Sequence, residues 1–583
     1  MLDPRIYRAG WVVVVLAVLV VAFSLEDQQG PLGTTLAPDA YNAQNAYSTM
    51  STLSKNYPDR RPGSAGDSGV ARYVARALRQ DRFSVSTRTF GAATAEGSRR
   101  LQTVTASQAG SQAAFASGSI VVLAPRDALS APATDGLSGT ATLLELARVL
   151  SGESLHRTIV LVSTSGSDGS AGSAALARSL PSGTDAVIVL GNLAGTKLGD
   201  PIVDPFSDGE QVAPPMLRNT IAAALGSQAG LRPGATSLAG QIARLAFPLT
   251  VSEQGPFGPR GVPAVLLSVS GERRPSADAM VSAARIGALG RTTLEAVSAL
   301  DGAPAVPAPS AYLLFDGKVI PAWAIRLLVL ALILPVLAAA IDGAARARRR
   351  GYSIGRGVLW VLAGALPFAL ALALVLACRA IGLIAIAPPG PVGAGTVPLH
   401  GAGVAVLVAV AVLIVASLTC LRKFAIGAPD PGAAAGLALV LCVVSLAIWA
   451  SNPFAAALIV PALHLWMWVA GARVRLRAAL MLVLVLAGLI LPVLVALHYA
   501  DALGLSPPDL AWNGVLLLAG GQVGVLAALQ WSVVLGCVVS VIAIALRAAR
   551  EERPLPAVGV TVRGPITYAG PGSLGATKST LRR

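Results

Sequence analysis

The chain has 583 residues, of which 54% are hydrophobic and only 13% are charged. This composition is too apolar for a soluble protein, and the length exceeds that of a single domain. Residues 26–318 carry 24 basic and 23 acidic side chains, so the net charge of +15 arises in the apolar remainder of the chain. A nucleic-acid-binding function is excluded, because it requires a basic patch on a folded surface. The expected partner of the remainder is a lipid bilayer.

The first 25 residues contain a single apolar run. It extends from Trp11 to Leu25 and is preceded by Arg5 and Arg8, as in a secretory signal. No convincing small-x-small cleavage motif follows, which favours an anchor that is retained over a signal that is removed. We therefore predict a cytoplasmic N-terminus and an anchor helix within residues 1–25.

The segment 26–318 has the composition of a water-soluble domain and contains no cysteine, so no disulfide supports it. Helical patterns occur within it, notably at 141–150 and 277–300. Four β-branched runs lack polar alternation, as buried strands of a parallel sheet do: IVVL (120–123), TIVLV (158–162), AVIVL (186–190) and AVLL (264–267). The pattern predicts an α/β domain with a mostly parallel sheet and helices on both faces.

Four segments of this domain carry a family resemblance. Residues 59–90 contain an Arg-Pro-Gly-Ser turn, a helical pattern and a strand, and residues 134–150 read TDGLSGTATLLELARVL. Residues 158–173 form a strand that leads into a Gly- and Ser-rich loop, and residues 253–267 read EQGPFGPRGVPAVLL. In this order the segments resemble the di-zinc aminopeptidase (zinc exopeptidase) superfamily. The resemblance implies that superfamily's fold over roughly residues 45–300.

Members of that superfamily hold two zinc ions through two histidines and three carboxylates, and a further glutamate is the general base for the metal-bound water. At the two histidine positions the resemblance places Pro125 and Gln254. The one histidine of segment 26–318 is His156, which precedes a strand and lies away from the ligand loops. This domain therefore lacks the two histidine ligands.

The carboxylate positions are depleted in the same way. Asp135 retains the bridging aspartate, whereas Gly166 and Ser167 occupy the positions of a Glu-Glu pair, and Asn192 that of the next carboxylate. Most of the ligands and the general base are replaced. The resemblance thus implies vestigial positions without catalysis, and neither zinc nor another cofactor is expected.

Four carboxylates adjoin these positions, namely Asp127, Asp135, Asp168 and Glu253. They are interpreted as solvated loop, turn or cap residues. The alternatives are a weak all-oxygen cation site and the site of an active hydrolase. A shared pocket is expected if the loops of the resemblance converge.

Seven apolar stretches follow Lys318, and a span needs roughly 20 residues to cross the hydrocarbon core. With the anchor they predict about eight spans, an all-α bundle over residues 319–548 and a cytoplasmic C-terminus. The stretch 513–546 is long enough for Gly520–Gln522 to break it into an interfacial helix and a span. The stretches are 322–341, 357–378, 403–420, 433–450, 454–471, 478–498 and 513–546.

The basic residues support this orientation by the positive-inside rule. Segment 26–318 is then extracytoplasmic, and the protein is predicted to lie in the cell membrane. Residues 549–583, rich in Pro, Gly, Ser and Thr, predict a disordered basic tail in the cytoplasm. Of 21 basic residues outside segment 26–318, only Arg326 and Arg379 fall near the outer face, and the inner ones include Arg346, Arg348, Arg349, Arg350, Arg356, Arg422, Lys423, Arg473, Arg475, Arg477 and Arg547.

Three functions stay open at this point. The first is a non-catalytic membrane protein whose outer domain binds a protein, peptide or lipid-linked partner or scaffolds a membrane complex. Its layout is similar to the large membrane subunit of glycosylphosphatidylinositol transamidase, whereas the Ala-, Arg- and Gly-rich composition is typical of a bacterium. The second is a membrane-anchored zinc metallopeptidase with an atypical site. The third is a transporter or lipid-handling protein with an accessory outer domain.

Overall fold

The computed structural model describes residues 4–34, 38–111, 118–181, 183–273, 279–303, 305–384, 392–393, 396–423, 431–471 and 478–551. The predicted tail from residue 552 onward lies outside these residues, as does the segment that carries Arg473, Arg475 and Arg477.

The helices before the bundle are α1 (Pro4–Phe23), α2 (Ala43–Asn56), α3 (Ala65–Gln80), α4 (Ser138–Leu150), α5 (Ala171–Ala177), α6 (Pro215–Ala229), α7 (Leu238–Ala246) and α8 (Ala283–Asp301). Those of the bundle are α9 (Ala322–Arg349), α10 (Ile354–Ala380), α11 (Gly401–Lys423), α12 (Pro431–Ser451), α13 (Pro453–Ala457), α14 (Val460–Gly471), α15 (Ala478–Gly488), α16 (Ile490–Leu503), α17 (Pro507–Gly520) and α18 (Val525–Glu551). The strands are β1 (Glu26–Asp27), β2 (Ser84–Thr94), β3 (Gly97–Gln108), β4 (Ser119–Pro125), β5 (Thr158–Thr164), β6 (Thr184–Leu190), β7 (Val203–Asp204), β8 (Ala264–Leu267), β9 (Tyr312–Phe315) and β10 (Lys318–Pro321).

The domain within residues 26–318, called the outer domain after its predicted location, is built on a seven-stranded sheet with the order β2-β3-β5-β4-β6-β8-β7. The four β-branched runs form β4, β5, β6 and β8, which pair in parallel. The other pairings, β2 with β3, β3 with β5 and β7 with β8, are antiparallel, so the sheet is mixed and the expected mostly parallel sheet is wrong at both edges. The reason is local, because β3 begins with exposed polar residues and β7 has only two residues, so neither resembles a buried run.

Alternate side chains of β4 enter two different hydrophobic cores. Ile120 and Val122 pack in the larger core with Leu143 of α4. Val121 points to the other face and packs in a smaller core with Leu176 of α5. A strand buried on both faces needs apolar residues at every position, and the predicted cover of helices on both faces is confirmed.

The N-terminal helix α1 packs against α9. At their crossing, a Cβ on Gly10 would lie 2.7 Å from the Cα of Pro335, so glycine allows the close approach. The Tyr7 hydroxyl lies 2.8 Å from His464 Nδ1, and the other ring nitrogen of His464 lies 3.1 Å from the Leu332 carbonyl. His464 is therefore engaged in helix packing within the bundle.

Six helices of the described chain are long and apolar enough to span a membrane, namely α1, α9, α10, α11, α12 and α18. The pair α15 and α16, bent by 52°, adds a seventh if it crosses as one span. The stretch 454–471 forms the short helices α13 and α14 instead of one long helix, and the predicted break near Gly520 separates α17 from α18. The chain is a multi-pass membrane protein, and an eighth span stays a prediction.

The outer domain contacts the bundle around the C-terminal end of α7. Asn452, between α12 and α13, donates to the Leu245 carbonyl at 2.8 Å. The Tyr499 hydroxyl of α16 donates to the Phe247 carbonyl. The Phe247 ring packs on Trp531 of α18 with centroids 5.3 Å apart. Contacts from three parts of the bundle thus fix the position of the outer domain.

Candidate functional site

The loops that follow the parallel strands form the candidate site. β4 leads into Asp127, β5 into Ser167 and Asp168, and β6 into Asn192. Because parallel strands end at the same edge of a sheet, these loops meet there. Gly166 turns the chain after β5 with a φ of +79°, a left-handed conformation that favours glycine.

A pocket of about 130 Å³ opens at this edge. Two of its lining residues lie beside the bundle. Arg273 donates to the carbonyl of Ala502, just before the end of α16, at 3.2 Å. Gly393 belongs to the connection between α10 and α11. The pocket therefore opens next to the membrane helices. The positions singled out in the sequence that line it are Pro125, Asp127, Ser167, Asp168, Asn192 and Glu253.

A buried ion pair supports the loop after β4. Arg126 Nε lies 2.7 Å from Asp67 Oδ1, with the two side chains 0% and 2% exposed. The guanidinium also donates to the carbonyls of Ser163 and Gln102, at 3.0 and 2.6 Å. Asp67 accepts from the Ser165 hydroxyl at 2.7 Å. A buried pair needs such additional hydrogen bonds to offset the loss of hydration.

Arg60 holds the same loop through backbone carbonyls. Its guanidinium donates to the carbonyls of Tyr57, Arg126, Pro132 and Ala133, over 2.8 to 3.2 Å. Burial lowers the pKa of this guanidinium below its usual value. The turn before α3 is thereby tied to the loop that precedes α4.

Asp127 faces the loop after β5. Its carboxylate accepts from the Ser167 amide at 3.1 Å and from the Ser167 hydroxyl at 3.0 Å, and the residue is only 6% exposed. Burial raises the pKa of Asp127 to about 7, and the neighbouring carboxylates Asp67 and Asp168 add to the rise. This side chain therefore exchanges a proton near neutral pH.

Glu253 is the second buried carboxyl group in the pocket lining. Its Oε2 accepts from the Thr164 hydroxyl at 2.5 Å. Its Oε1 has no hydrogen-bond partner among the described residues. Burial raises the pKa of Glu253 to about 8, so the group is protonated at neutral pH.

Asp135 lies behind the pocket wall and is fully buried. Its Oδ2 accepts from the Asn192 side-chain amide at 3.0 Å, and burial raises the pKa of Asp135 to about 6. Asn192 Oδ1 accepts from the backbone amides of Ala194 and Gly195, which fixes the orientation of the side chain. The side-chain amide of Asn192, a neutral N–H donor, thus lies beside Asp135.

Gln254 belongs to a buried cluster that the sequence did not reveal. Its Nε2 donates to Glu272 at 3.1 Å. Glu272 forms a two-point ion pair with Arg244, at 2.7 and 2.8 Å, and Arg244 also reaches Asp204 at 3.1 Å. Burial alone would lower the pKa of Arg244, but the two carboxylates raise it well above its usual value. No spacing signals this cluster, because its members come from α7, β7 and two separate loops.

These residues do not fit a di-zinc site. Pro125 has no donor atom in its side chain, and Asn192 and Gln254 direct N–H groups at carboxylates, whereas zinc binds lone pairs. His156 pairs with Asp301 at 3.0 Å, before β5 and away from the pocket. Within the described part of the chain, no group of three His, Cys, Asp or Glu side chains is arranged to hold a metal ion.

Solved structures similar to this chain are glutaminyl cyclases and zinc aminopeptidases, matched over about half of it. An Acidobacteriales bacterium glutaminyl cyclase shares 18% identity and a TM-score of 0.36 over 47% of this chain and 98% of its own. An aminopeptidase from Aneurinibacillus sp. strain AM-1 shares 15% identity and a TM-score of 0.36, over 46% of this chain and 96% of its own. A zinc aminopeptidase from Bacillus subtilis shares 14% identity and a TM-score of 0.35, over 44% of this chain and 95% of its own. No family model and no curated protein matches the chain.

Proposed function

We propose that the outer domain is a binding module without peptidase activity, and that its pocket receives the positively charged amino group of a protein, peptide or lipid-linked partner. The observation that carries this proposal is the state of two carboxyl groups. Asp127 and Glu253 are buried at the pocket, hydrogen-bonded to the hydroxyl groups of Ser167 and Thr164, and their pKa values are raised to about 7 and about 8. An ammonium group would favour their ionised forms, because an opposite charge nearby offsets the burial.

The position of the pocket supports a partner that is presented at the membrane surface. Arg273 lines the pocket and contacts the backbone at the C-terminal end of α16. Gly393, from the connection after α10, lines it as well. A ligand tethered to the bilayer reaches this opening without leaving the membrane surface. A role as the scaffold of a membrane complex, as in the large subunit of glycosylphosphatidylinositol transamidase, is compatible with this placement.

The proposal includes an orientation in the cell membrane. The outer domain lies outside the cytoplasm and both termini lie inside, because the predicted order of spans assigns most basic residues outside the domain to segments on the opposite side of the membrane. Labelling of single cysteines introduced in place of Ser151 and Ser353 by a membrane-impermeant maleimide in intact cells tests this orientation. Labelling of Ser151→Cys alone is expected, and labelling of Ser353→Cys alone would reverse the orientation.

Binding of an amino group is tested by calorimetry on the purified full chain. The probes are alanyl-alanine amide and its N-acetylated form. The free amine is expected to bind with release of protons, measured as a dependence of the enthalpy on buffer ionisation. Glu253→Gln should weaken binding, while the exposed Glu153→Gln serves as the matched control. Equal binding of the acetylated and free peptides would contradict the proposed recognition of the amine.

The absence of peptidase activity is tested separately. Metal analysis of the purified chain is expected to find far less than one equivalent of zinc, and aminoacyl substrates should not be hydrolysed. Two equivalents of zinc, with hydrolysis that is lost in Asp135→Ala, would establish the metallopeptidase instead. This outcome leaves the binding experiment interpretable, since affinity for the amine is measured independently.

A second candidate is a hydrolase with an atypical site. The observation that favours it is Glu253, whose unpartnered oxygen and pKa of about 8 suit a general acid or base. Hydrolysis that persists in the presence of a chelator and disappears in Glu253→Gln would favour this candidate. If zinc is required instead, the zinc metallopeptidase of the sequence analysis is the appropriate description.

A further inference from the structure

A groove in the bundle lies at the end away from the outer domain. α10 packs against both α11 and α18, and the space between these two neighbours forms a cavity of about 350 Å³. Ala363 and Gly364 of α10 leave room at its floor because their side chains are small. The larger lining residues are Trp360 on α10, Leu418 and Leu421 on α11, and Ile542 and Leu546 on α18.

The two walls of the groove differ in how firmly they are held. α18 touches α10 so closely that a Cβ on Gly536 would lie 2.6 Å from the Ala365 nitrogen, and one on Gly364 would lie 3.1 Å from the Gly536 carbonyl oxygen. α11 is peripheral, because only 6% of its apolar stretch is buried. Since α11 is exposed along its apolar stretch, the groove that it borders lies at the surface of the bundle.

One basic side chain lies at the edge of the groove. Arg547 of α18 lines it and is exposed. The same end of the bundle also contains Arg356, near the start of α10. Apolar walls below a guanidinium complement a molecule with a hydrocarbon chain and a negatively charged headgroup. Basic pockets between membrane helices bind anionic lipid headgroups for this reason.

We propose that this groove is a binding site for an anionic phospholipid. One acyl chain lies along Trp360 and the small residues of α10, and the phosphate accepts hydrogen bonds from Arg547. The inference is independent of the function proposed for the outer domain, because it concerns the opposite end of the bundle and involves none of the pocket residues.

Fluorescence quenching tests the site on the full chain in nanodiscs. The probes are phosphatidylglycerol and phosphatidylcholine with brominated acyl chains, each diluted into unlabelled lipid. The chain has eight tryptophans, so the Trp360 signal is obtained as the difference from Trp360→Phe. Half-maximal quenching of Trp360 should need about fivefold less phosphatidylglycerol than phosphatidylcholine, as expected for one basic residue at a membrane surface.

Three variants test which residue causes the preference for phosphatidylglycerol. Arg547→Gln should abolish it, whereas Arg547→Lys retains the charge and should keep most of it. Arg350→Gln is the matched control, because Arg350 lies in the turn between α9 and α10 at the same end of the bundle but does not line the groove. Equal quenching by both lipids would overturn the proposal. An equal loss in Arg350→Gln and Arg547→Gln would also overturn it, because it would indicate diffuse attraction of lipid to the basic surface.

The acyl-chain part of the proposal has its own variant. Ala543→Phe fills the groove between α11 and α18 and should reduce Trp360 quenching by both lipids. Unchanged quenching in this variant would show that lipid contacts Trp360 without entering the groove, and the site would be withdrawn.

Discussion

The buried carboxylates of the outer domain differ in what compensates their charge. Asp67 meets the guanidinium of Arg126 behind the pocket, and Glu272, at the pocket lining, meets that of Arg244. Both guanidinium groups are almost completely buried and make further hydrogen bonds. These pairs behave as structural ties, since each charge has a partner of opposite sign within hydrogen-bond distance.

Three other buried carboxyl groups, Asp127 and Glu253 at the pocket and Asp135 behind its wall, accept hydrogen bonds from neutral groups. Asp127 and Glu253 are held by hydroxyl groups, and Asp135 by the amide of Asn192. Burial raises their pKa values to about 7, about 8 and about 6. The difference shows that a buried carboxyl group without a guanidinium partner keeps a raised pKa, and that an ammonium ligand near Asp127 and Glu253 would supply the missing opposite charge.

The largest effect is expected from breaking a structural tie. Arg126→Met leaves the buried Asp67 without a partner of opposite charge and should lower the free energy of unfolding by about 3–5 kcal/mol. Arg61→Met removes the exposed pair with Asp59, in which both side chains are 52% exposed, and should change stability far less, because solvent screens an exposed pair. Chemical denaturation of the full chain in detergent measures both values. Similar losses in the two variants would refute the structural role of the buried pair.

The central strands were predicted because every residue of a strand covered on both faces must be apolar, and β4, β5, β6 and β8 carry that signature in consecutive residues. The hairpin of β2 and β3 has one exposed, polar side, so β3 lacks such a run. Membrane helices were found from length and hydropathy. Their breaks at Leu489 and between α13 and α14 were missed, because apolar residues continue through both.

The site was predicted in part, and only through the order of its loops. Of the six positions expected to share one pocket, Pro125, Ser167 and Asn192 line it, since each follows a parallel strand and parallel strands end together. Asp135, Gly166 and Gln254 do not line it. The hydrogen bonds of Asn192 and Gln254 depend on residues far apart in the chain. Such pairs carry no local pattern, and only the folded structure reveals them.

A smaller loss is expected from adding a charge beside Asp135. Asn192→Asp replaces a donor at 3.0 Å by a second carboxyl group, which should lower the free energy of unfolding by about 1–3 kcal/mol at pH 8. The loss should shrink at pH 5, where the two groups share a proton. Asn56→Asp, on the exposed end of α2, is the control with an expected change below about 0.5 kcal/mol. If the stability lost in Asn192→Asp did not depend on pH, repulsion between residue 192 and the Asp135 carboxylate would not be its cause.

The pocket carboxyl groups should also make stability depend on pH. Their pKa values in the folded chain are about 7 for Asp127 and about 8 for Glu253, against the usual 3.8 and 4.5. At a pH between the unfolded and the folded pKa of each group, the folded state retains a proton that the unfolded chain has released. The free energy of unfolding therefore falls as pH rises through this range. Each group contributes about 1.4 kcal/mol per pH unit.

Glu253→Gln removes one of these contributions. The pH dependence of unfolding should therefore flatten between about pH 7 and 8, where Asp127 is already ionised and Glu253 still titrates. Glu153→Gln, at an exposed loop position, should leave the slope unchanged. Stability that increases from pH 5.5 to 8 in the unmodified chain would show that these groups are ionised in the folded state.

The smallest effect is expected where the outer domain meets α16. Arg273 and Asp501 form an ion pair at 3.3 Å, but their side chains are 52% and 90% exposed. Asp501→Asn should therefore change the free energy of unfolding by less than about 0.5 kcal/mol. The Arg273 guanidinium also donates to the carbonyls of Asp501 and Ala502, and Arg273→Met, which loses these bonds, should cost about 1 kcal/mol. The contrary result is that Asp501→Asn lowers the free energy of unfolding as much as Arg273→Met does, with an effect that high salt removes. That result would show that Arg273 acts through the Asp501 carboxylate and not through the helix backbone.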